Sequence, residues 1–218
     1  MEKSIEEIWK EGFLEPDALI APKVNELYGK KSIHIIDKFK RMFKINLIAI
    51  VVFSIVFLGI SFIVGIPLMG AMFFVALMVL VLINRQLLKG LDKIDKGENS
   101  YQYLIKFNDW INWQVSVNRR MSTILYPVFF ISFIIGFWFK DAEGMYLGNR
   151  LMHKITSANP DLSIIFGIPS VVFFIIMLIT GLLAFFGGRI YMWDVNMVYG
   201  RVFKKLKELL NDIESINT

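Results

Sequence analysis

The sequence predicts an all-α integral membrane protein with four transmembrane helices, arranged as two hairpins. Of its 218 residues 56% are hydrophobic and 20% are charged, and the charged residues are clustered between long apolar stretches. Residues 45–84 contain no charged side chain, and Gly65 and Pro67 stand near the middle of this run. About 20 helical residues cross a hydrocarbon core of about 30 Å. An uncharged run of twice that length with a helix-breaking centre therefore predicts two spans joined by a tight turn.

Residues 1–44 are predicted to form a cytosolic helical head. Residues 1–22 carry a net charge of −4 and residues 23–44 a net charge of +5. The basic half precedes the first span, as expected for a segment that faces anionic lipid. The acidic half has a short apolar stripe at helical spacing. This stripe supplies the candidate partner-binding residues, which are Ile5, Ile8, Trp9 and Leu14.

Residues 85–120 return to a polar composition and are predicted to form a cytosolic amphipathic loop. The second half of this segment is rich in aromatic residues, among them Trp110 and Trp113. Tryptophan rings are favoured at the headgroup level of a bilayer, so both are predicted to lie at the membrane interface. A platform for stacking nucleic-acid bases also needs aromatics, but it needs many more cations than this segment has. We therefore expect no nucleic-acid partner.

Residues 121–188 are predicted to contain spans 3 and 4, separated by an outer loop at residues 140–161 with one amphipathic helix. Pro127 lies near the start of span 3 and is predicted to break or kink it. Span 4 is predicted to start near residue 162, which makes it longer than a perpendicular helix needs. We therefore expect tilt, a kink at Pro169 or protrusion from the membrane.

Residues 189–218 are predicted to form a cytosolic C-terminal helix. The pattern around Gly65 and Pro67 recurs 102 residues later at Gly167 and Pro169, which predicts a second turn or kink and raises the question of an internal duplication. Apolar sequences rich in isoleucine and glycine also match by chance, so both explanations stay open.

The distribution of lysine and arginine predicts the orientation. The head contains 9 of these residues, the 85–120 loop 7 and the tail 5, whereas the first turn contains none and the 140–161 loop contains 3. The positive-inside rule then places both termini in the cytoplasm of a bacterium, with the spans in its inner membrane. The predicted membrane-interface residues are Lys40, Arg41, Lys44, Arg85, Trp110, Trp113, Arg119, Arg120 and Arg189.

The sequence offers little for catalysis or for ion coupling. It has no cysteine and two histidines, His34 and His153, which are predicted on opposite sides of the membrane. The four predicted spans contain no ionisable residue, whereas ion-coupled transporters usually carry such groups within their spans. Because no catalytic or phosphate-binding motif is present, we expect no enzymatic activity, no cofactor and no metal site.

The first 90 residues carry one resemblance. The segments Ile8-Trp9-Lys10-Glu11 and Lys38-Phe39-Lys40-Arg41-Met42-Phe43, followed by the hairpin, resemble small uncharacterised multi-span inner-membrane proteins of Bacteroidetes-type bacteria. Some of those proteins are encoded beside extracytoplasmic-function sigma factors, so the resemblance implies an accessory or anti-sigma-like role. A typical anti-sigma factor has one span and often a cytosolic zinc site. The four predicted spans and the absence of cysteine depart from that pattern.

The sequence therefore predicts a non-enzymatic inner-membrane protein that contacts the bilayer and uses cytosolic helices to bind a protein, in regulation or signalling. The alternative is a small oligomeric transporter or channel subunit. The sequence leaves open the partner, any solute and the oligomeric state, including a homo-oligomer. It also leaves open whether the cytosolic helices pack together or lie on the membrane, because amphipathic faces are buried in either case.

Overall fold

The structure is a computed structural model that describes residues 16–92, 94 and 100–217, with side chains described for residues 32–92, 94 and 102–212. This part of the chain forms five α-helices and two short antiparallel hairpins. Their bounds are α1 Pro16–Val64, α2 Pro67–Leu91, α3 Ser100–Trp138, β1 Asp141–Ala142, β2 Met145–Tyr146, α4 Leu147–Ala158, β3 Ile164–Ile165, β4 Ile168–Pro169 and α5 Ser170–Asn217.

Four of the described helices are long and apolar enough to cross a membrane. The segments concerned are Ser32–Val64, Pro67–Leu91, Gln102–Trp138 and Ser170–Asp212. This confirms the prediction of four apolar helices. Many of their large apolar side chains are exposed on the protein surface, as expected where a helix bundle contacts lipid.

Each of these four helices passes through two regions that differ in composition. The apolar layer comprises residues 45–84, 121–138 and 170–188, and the basal bundle comprises residues 32–44, 85–92, 102–120 and 189–212. No helix is interrupted where it passes from one region to the other. α1 alone has 49 residues, which gives a rod about 73 Å long at 1.5 Å per residue. The sequence predicts boundaries where head meets span, loop meets span and span meets tail. In the structure the composition changes at these positions, but the helices continue through them.

The turn predicted at Gly65 and Pro67 is present. Gly65 has a φ of +79°, which suits glycine, and Pro67 is the first residue of α2. The Ile66 N–H donates to the Ser61 carbonyl at 2.8 Å, and the Gly65 N–H donates to the Phe62 carbonyl at 3.2 Å. These bonds satisfy two of the last four carbonyls of α1, and the two-residue connection reverses the chain.

The second Gly-Ile-Pro sequence folds differently from the prediction. Gly167 has a φ of +77° and forms the turn between β3 and β4, and α5 begins at Ser170, directly after Pro169. The fourth long helix therefore starts eight residues later than the predicted position near residue 162, and Pro169 precedes it rather than kinking it. The likeness to the first turn is local, because Ser61 lies within a helix and Ser163 precedes a strand.

Pro127 does not interrupt its helix, and the outer loop contains a helix of its own. Pro127 lies inside α3, which continues without a break to Trp138. The amphipathic helix predicted in the 140–161 loop is confirmed as α4. Gly148 of α4 lies so close to the Trp138 ring that an added Cβ would be 2.3 Å from it. α4 is therefore held against the end of α3.

Small residues bring the helices close together in the apolar layer. An added Cβ on Gly70 would overlap Ser61, one on Gly136 would overlap Met69, and one on Gly187 would be 2.8 Å from the Ser122 carbonyl oxygen. Close backbone approach at glycine is a common mode of helix packing in membranes, where burial from water contributes nothing between lipid-facing helices.

The basal bundle contains the main described hydrophobic core. Side chains from α1, α2, α3 and α5 pack into a single cluster around Phe39, Leu104 and Phe107. The Phe39 ring lies 5.6 Å from Phe107, 6.0 Å from Trp110 and 5.2 Å from Tyr199, measured between ring centroids. Apolar side chains of the described segments that flank the spans are thus packed against one another.

Candidate functional site

A cavity of about 260 Å³ lies where the basal bundle meets the apolar layer, between α1, α2, α3 and α5. Its lining combines aromatic rings, aliphatic side chains, four amides, three phenols and one carboxylate. The lining residues are Phe39, Phe43, Asn46, Leu47, Ile50, Leu80, Asn84, Gln114, Asn118, Ser122, Leu125, Tyr126, Phe129, Tyr191, Asp194, Val195, Val198, Tyr199 and Phe203.

A reciprocal amide pair forms one wall of the cavity. Asn84 Nδ2 donates to Asn118 Oδ1 at 2.8 Å, and Asn118 Nδ2 donates to Asn84 Oδ1 at 2.9 Å. The second N–H of each amide goes to its own helix, to the Leu80 carbonyl at 2.9 Å and to the Gln114 carbonyl at 3.0 Å. Both amides are buried and fully paired, so they join α2 to α3 at one defined register.

Gln114 stands beside this pair with its hydrogen bonding incomplete. Its Nε2 donates to Asn84 Oδ1 over 3.4 Å, a long bond, and the residue is only 5% exposed. Within the described part of the chain, no group donates a hydrogen bond to Gln114 Oε1. A buried carbonyl oxygen that borders a cavity and lacks a donor is a natural contact for a bound donor.

The opposite wall comes from α1 and α5. Asn46 Nδ2 donates to the Tyr199 hydroxyl oxygen at 3.3 Å and bridges these two helices. Tyr191, Asp194 and Val198 follow along the α5 side of the cavity. Asn46 and Asp194 are both exposed lining residues, so they mark where the cavity opens to the outside.

Aromatic rings pack together in the apolar layer beyond the cavity. The rings of Phe57 and Phe73 lie 5.1 Å apart and those of Phe73 and Phe129 lie 4.7 Å apart, which links α1, α2 and α3. The Ser54 and Ser132 hydroxyls donate to carbonyls of their own helices, at 2.8 Å and 2.6 Å. These hydroxyls are therefore satisfied locally and do not line a polar route across the layer.

The predicted membrane-interface cations lie around the junction of the two regions. Lys40 is partly exposed and pairs with Asp92 of α2. The Arg189 guanidinium lies over the rings of Phe185 and Phe186, 5.7 Å and 5.5 Å from their centroids. The remaining predicted cations are exposed; they are Arg41, Lys44, Arg85, Arg119 and Arg120.

The two predicted interface tryptophans differ from each other. Trp113 is exposed on α3. Trp110 is instead buried in the basal core, where its indole N–H donates to the Leu87 carbonyl of α2 at 3.1 Å. The Trp110 ring therefore packs between helices and its polar atom is satisfied by protein, and its position at the membrane interface stays a prediction.

The predicted partner-binding residues lie outside the described residues; they are Ile5, Ile8, Trp9 and Leu14. Among the residues that the structure describes, no group of three metal-ligating side chains comes together. His34 lies on α1 and His153 on α4, both exposed.

Sequence reasoning missed the amide cluster and Asp194. Asn84 is the last residue of the uncharged run 45–84, but α2 continues past it to Leu91. The available signal was the spacing of Gln114 and Asn118, which places two amides on one face of a helix among aromatic residues.

Comparisons with known protein families, curated proteins and solved structures found no match to this chain.

Proposed function

We propose that this chain is a non-enzymatic four-span protein of a bacterial inner membrane, with both termini and the basal bundle in the cytoplasm. We further propose that it binds a protein partner there, in regulation or signalling. The excess of lysine and arginine in the head, the middle loop and the tail supports the orientation.

The partner surface is an apolar stripe on the outer face of α5. Phe186, Ile190, Trp193 and Met197 follow one another at helical spacing, and Trp193 and Met197 are 73% and 72% exposed. Met197 is eight residues beyond Arg189, which corresponds to about 12 Å along a helix. The interfacial zone on each side of a bilayer is only about 5–7 Å deep. If the bilayer boundary lies at Arg189, lipid covers the start of the stripe and leaves Met197 uncovered. The observation that carries the proposal is the exposure of the apolar side chains of Trp193 and Met197.

The residues that follow the stripe indicate the chemistry of the partner. Arg201, Lys204 and Lys205 are exposed on the next turns, and Glu208 forms only a long ion pair with Lys204, at 3.9 Å. The surface thus passes from apolar to basic. A partner helix with an apolar face and acidic residues at one end would complement both parts. The first 90 residues resemble proteins of which some are encoded beside extracytoplasmic-function sigma factors. A sigma factor is therefore the class of partner to test first.

Site-specific photocrosslinking in native membranes tests the partner surface. A photoreactive residue at position 197 should crosslink to one protein, and the same residue at Asn112, exposed on α3, should not. Arg201→Glu with Lys204→Glu should abolish the crosslink from position 197, because the acidic partner would be repelled. Equal crosslinking from positions 197 and 112, or a crosslink from position 197 that persists after the charge reversal, would contradict the proposal.

Reporter fusions test the orientation separately. Fusions after residues 67 and 150 should report the periplasm, and those after 100 and 218 should report the cytoplasm. A periplasmic signal at 100 or 218 would overturn the orientation.

The alternative function is a small oligomeric transporter or channel subunit. The polar cavity favours it, because a transported solute needs a site between the helices. The ring contacts among Phe57, Phe73 and Phe129 would have to separate for a solute to cross. Solute flux into vesicles that contain the purified protein, or a crosslink from position 197 to a second copy of the chain, would favour this alternative.

A further inference from the structure

The charged group that lines the cavity favours a cationic ligand, and the proposed partner surface does not involve this cavity. The Asp194 carboxylate is the one formally charged group among its described lining residues, which include no lysine, arginine or histidine. Asp194 forms no ion pair with any described residue. A negative charge beside a partly apolar cavity attracts a cation more strongly than the same charge in open water, because the local dielectric is lower.

Among the described residues the Tyr126 and Tyr191 hydroxyls have no hydrogen-bond partner, and each can donate or accept. Gln114 Oε1 is buried and receives no hydrogen bond from the described residues. The amides of Asn84 and Asn118 saturate each other and are not available to a ligand. The cavity therefore offers hydroxyls that can donate or accept, a buried carbonyl oxygen and a carboxylate. The carboxylate is the one charged group among the described lining residues, so it favours a ligand that carries positive charge and donates N–H bonds.

The rings around the cavity favour the same charge. Tyr126, Tyr191 and Tyr199 contribute phenols, and Phe39, Phe43, Phe129 and Phe203 contribute phenyl rings. The face of an aromatic ring attracts an ammonium group, and its surface also packs against the apolar body of a ligand.

The volume limits the size of the ligand. A cavity of about 150 Å³ holds one benzene molecule, and sites for drug-sized ligands begin at about 300 Å³. At about 260 Å³, this cavity suits one aromatic ring with a short chain.

We propose that the cavity binds a small organic cation, a primary ammonium group on a short apolar or aromatic body. The ammonium group lies between Asp194 and Gln114 Oε1, and the body packs against the rings of the cavity. This site is independent of the partner surface, because Asp194 faces the cavity and Met197 lies on the outer face of α5.

Calorimetry on the full chain in dodecyl maltoside, a detergent without amines, tests the proposal with three probes of similar size. Phenethylammonium should bind saturably, and 2-phenylethanol and phenylacetate should bind at least about tenfold more weakly, a difference of about 1.4 kcal/mol. Equal binding of the three probes, or no saturable binding of phenethylammonium, would overturn it.

Two pairs of variants locate the site. Asp194→Asn should weaken phenethylammonium binding about tenfold or more, and Asp109→Asn, which changes an exposed carboxylate outside the cavity lining, should leave it unchanged. Val198→Trp should fill the cavity and abolish binding, whereas Met197→Trp, one residue away on the outer face, should not. An unchanged affinity in Asp194→Asn or in Val198→Trp, with each variant retaining the elution volume and thermal unfolding of the parent, would contradict the assignment.

A final arm identifies the source of the ammonium group. Nanodiscs that contain phosphatidylethanolamine should compete with phenethylammonium if the natural ligand is a lipid headgroup, and should leave its affinity unchanged if the ligand is a free amine. Either result keeps the ammonium site and decides its occupant.

Discussion

In the basal bundle, large apolar side chains are removed from solvent, and Phe107 is 0% exposed. In the apolar layer of the same helices, side chains of the same type face outward, and Phe62 is 65% exposed. Water drives the first arrangement, because burial of apolar surface is favourable there. Lipid removes that driving force, so the apolar layer relies on close glycine contacts and ring packing between helices. The comparison shows that a continuous helix can follow two packing rules along its length.

The largest expected effect tests the hydrophobic core. Phe107→Ala should lower the free energy of unfolding by about 3–5 kcal/mol, because the ring is fully buried and leaves a cavity. Phe62→Ala in the apolar layer should change it by about 0.5 kcal/mol or less, since that ring faces outward. Equilibrium unfolding of both variants in bicelles gives the two values. Similar losses would contradict the division into two packing regimes.

The second prediction concerns helix approach in the apolar layer. Gly187→Val should cost about 1–3 kcal/mol, because its Cβ would lie 2.8 Å from the Ser122 carbonyl oxygen and 3.1 Å from Thr123 Cα, which are backbone atoms. Gly181→Val is the matched control on the same helix, because nothing lies within 4 Å of its added Cβ. The same unfolding measurement applies. A cost at Gly181 equal to that at Gly187 would show that β-branching, not contact, causes the loss.

The third prediction concerns the amide pair at the junction. Asn84→Leu should cost about 1–3 kcal/mol, because it leaves the buried Asn118 amide without its partner. The double variant Asn84→Leu with Asn118→Leu should cost less than the sum of the two single variants, since no orphaned amide remains. Strict additivity in the double-mutant cycle would mean that the two amides do not interact.

The smallest effect is expected for a serine of the apolar layer. Ser132→Ala should change the free energy of unfolding by about 0.5 kcal/mol or less, because the Ser132 hydroxyl bonds only to the Val128 carbonyl of its own helix. A loss well above that value would show that Ser132 holds two helices together.

The sequence was sufficient for features that depend on composition and on local backbone chemistry. Runs of uncharged residues predicted the four apolar helices, and Gly65 with Pro67 predicted the first turn, because these residues have few other conformations to adopt. The amphipathic helix in the outer loop was also found, at Leu147–Ala158.

Features that depend on which surfaces meet were not predictable. Changes of composition at residues 44, 120 and 188 suggested element boundaries, but a helix satisfies its own backbone in water and in lipid and has no reason to stop there. Ile164–Ile165 and Ile168–Pro169 look like a continuation of span 4 by hydropathy, and only the Phe166-Gly167 turn makes them a hairpin. The cavity is built by four helices, so no local pattern encodes it.

The unbroken passage of α1, α3 and α5 through both regions has a mechanical consequence. α1 and α5 have no proline between the two regions, so we expect a change of tilt in the lipid to change their crossing angles in the basal bundle. Bilayer thickness sets that tilt, since long apolar helices tilt more in a thin bilayer. The cavity lies where the two regions meet. There Asn84 and Asn118 fix the position of α2 against α3, and Asn46 and Tyr199 form a hydrogen bond between α1 and α5. We therefore expect bilayer thickness to affect the width of the cavity.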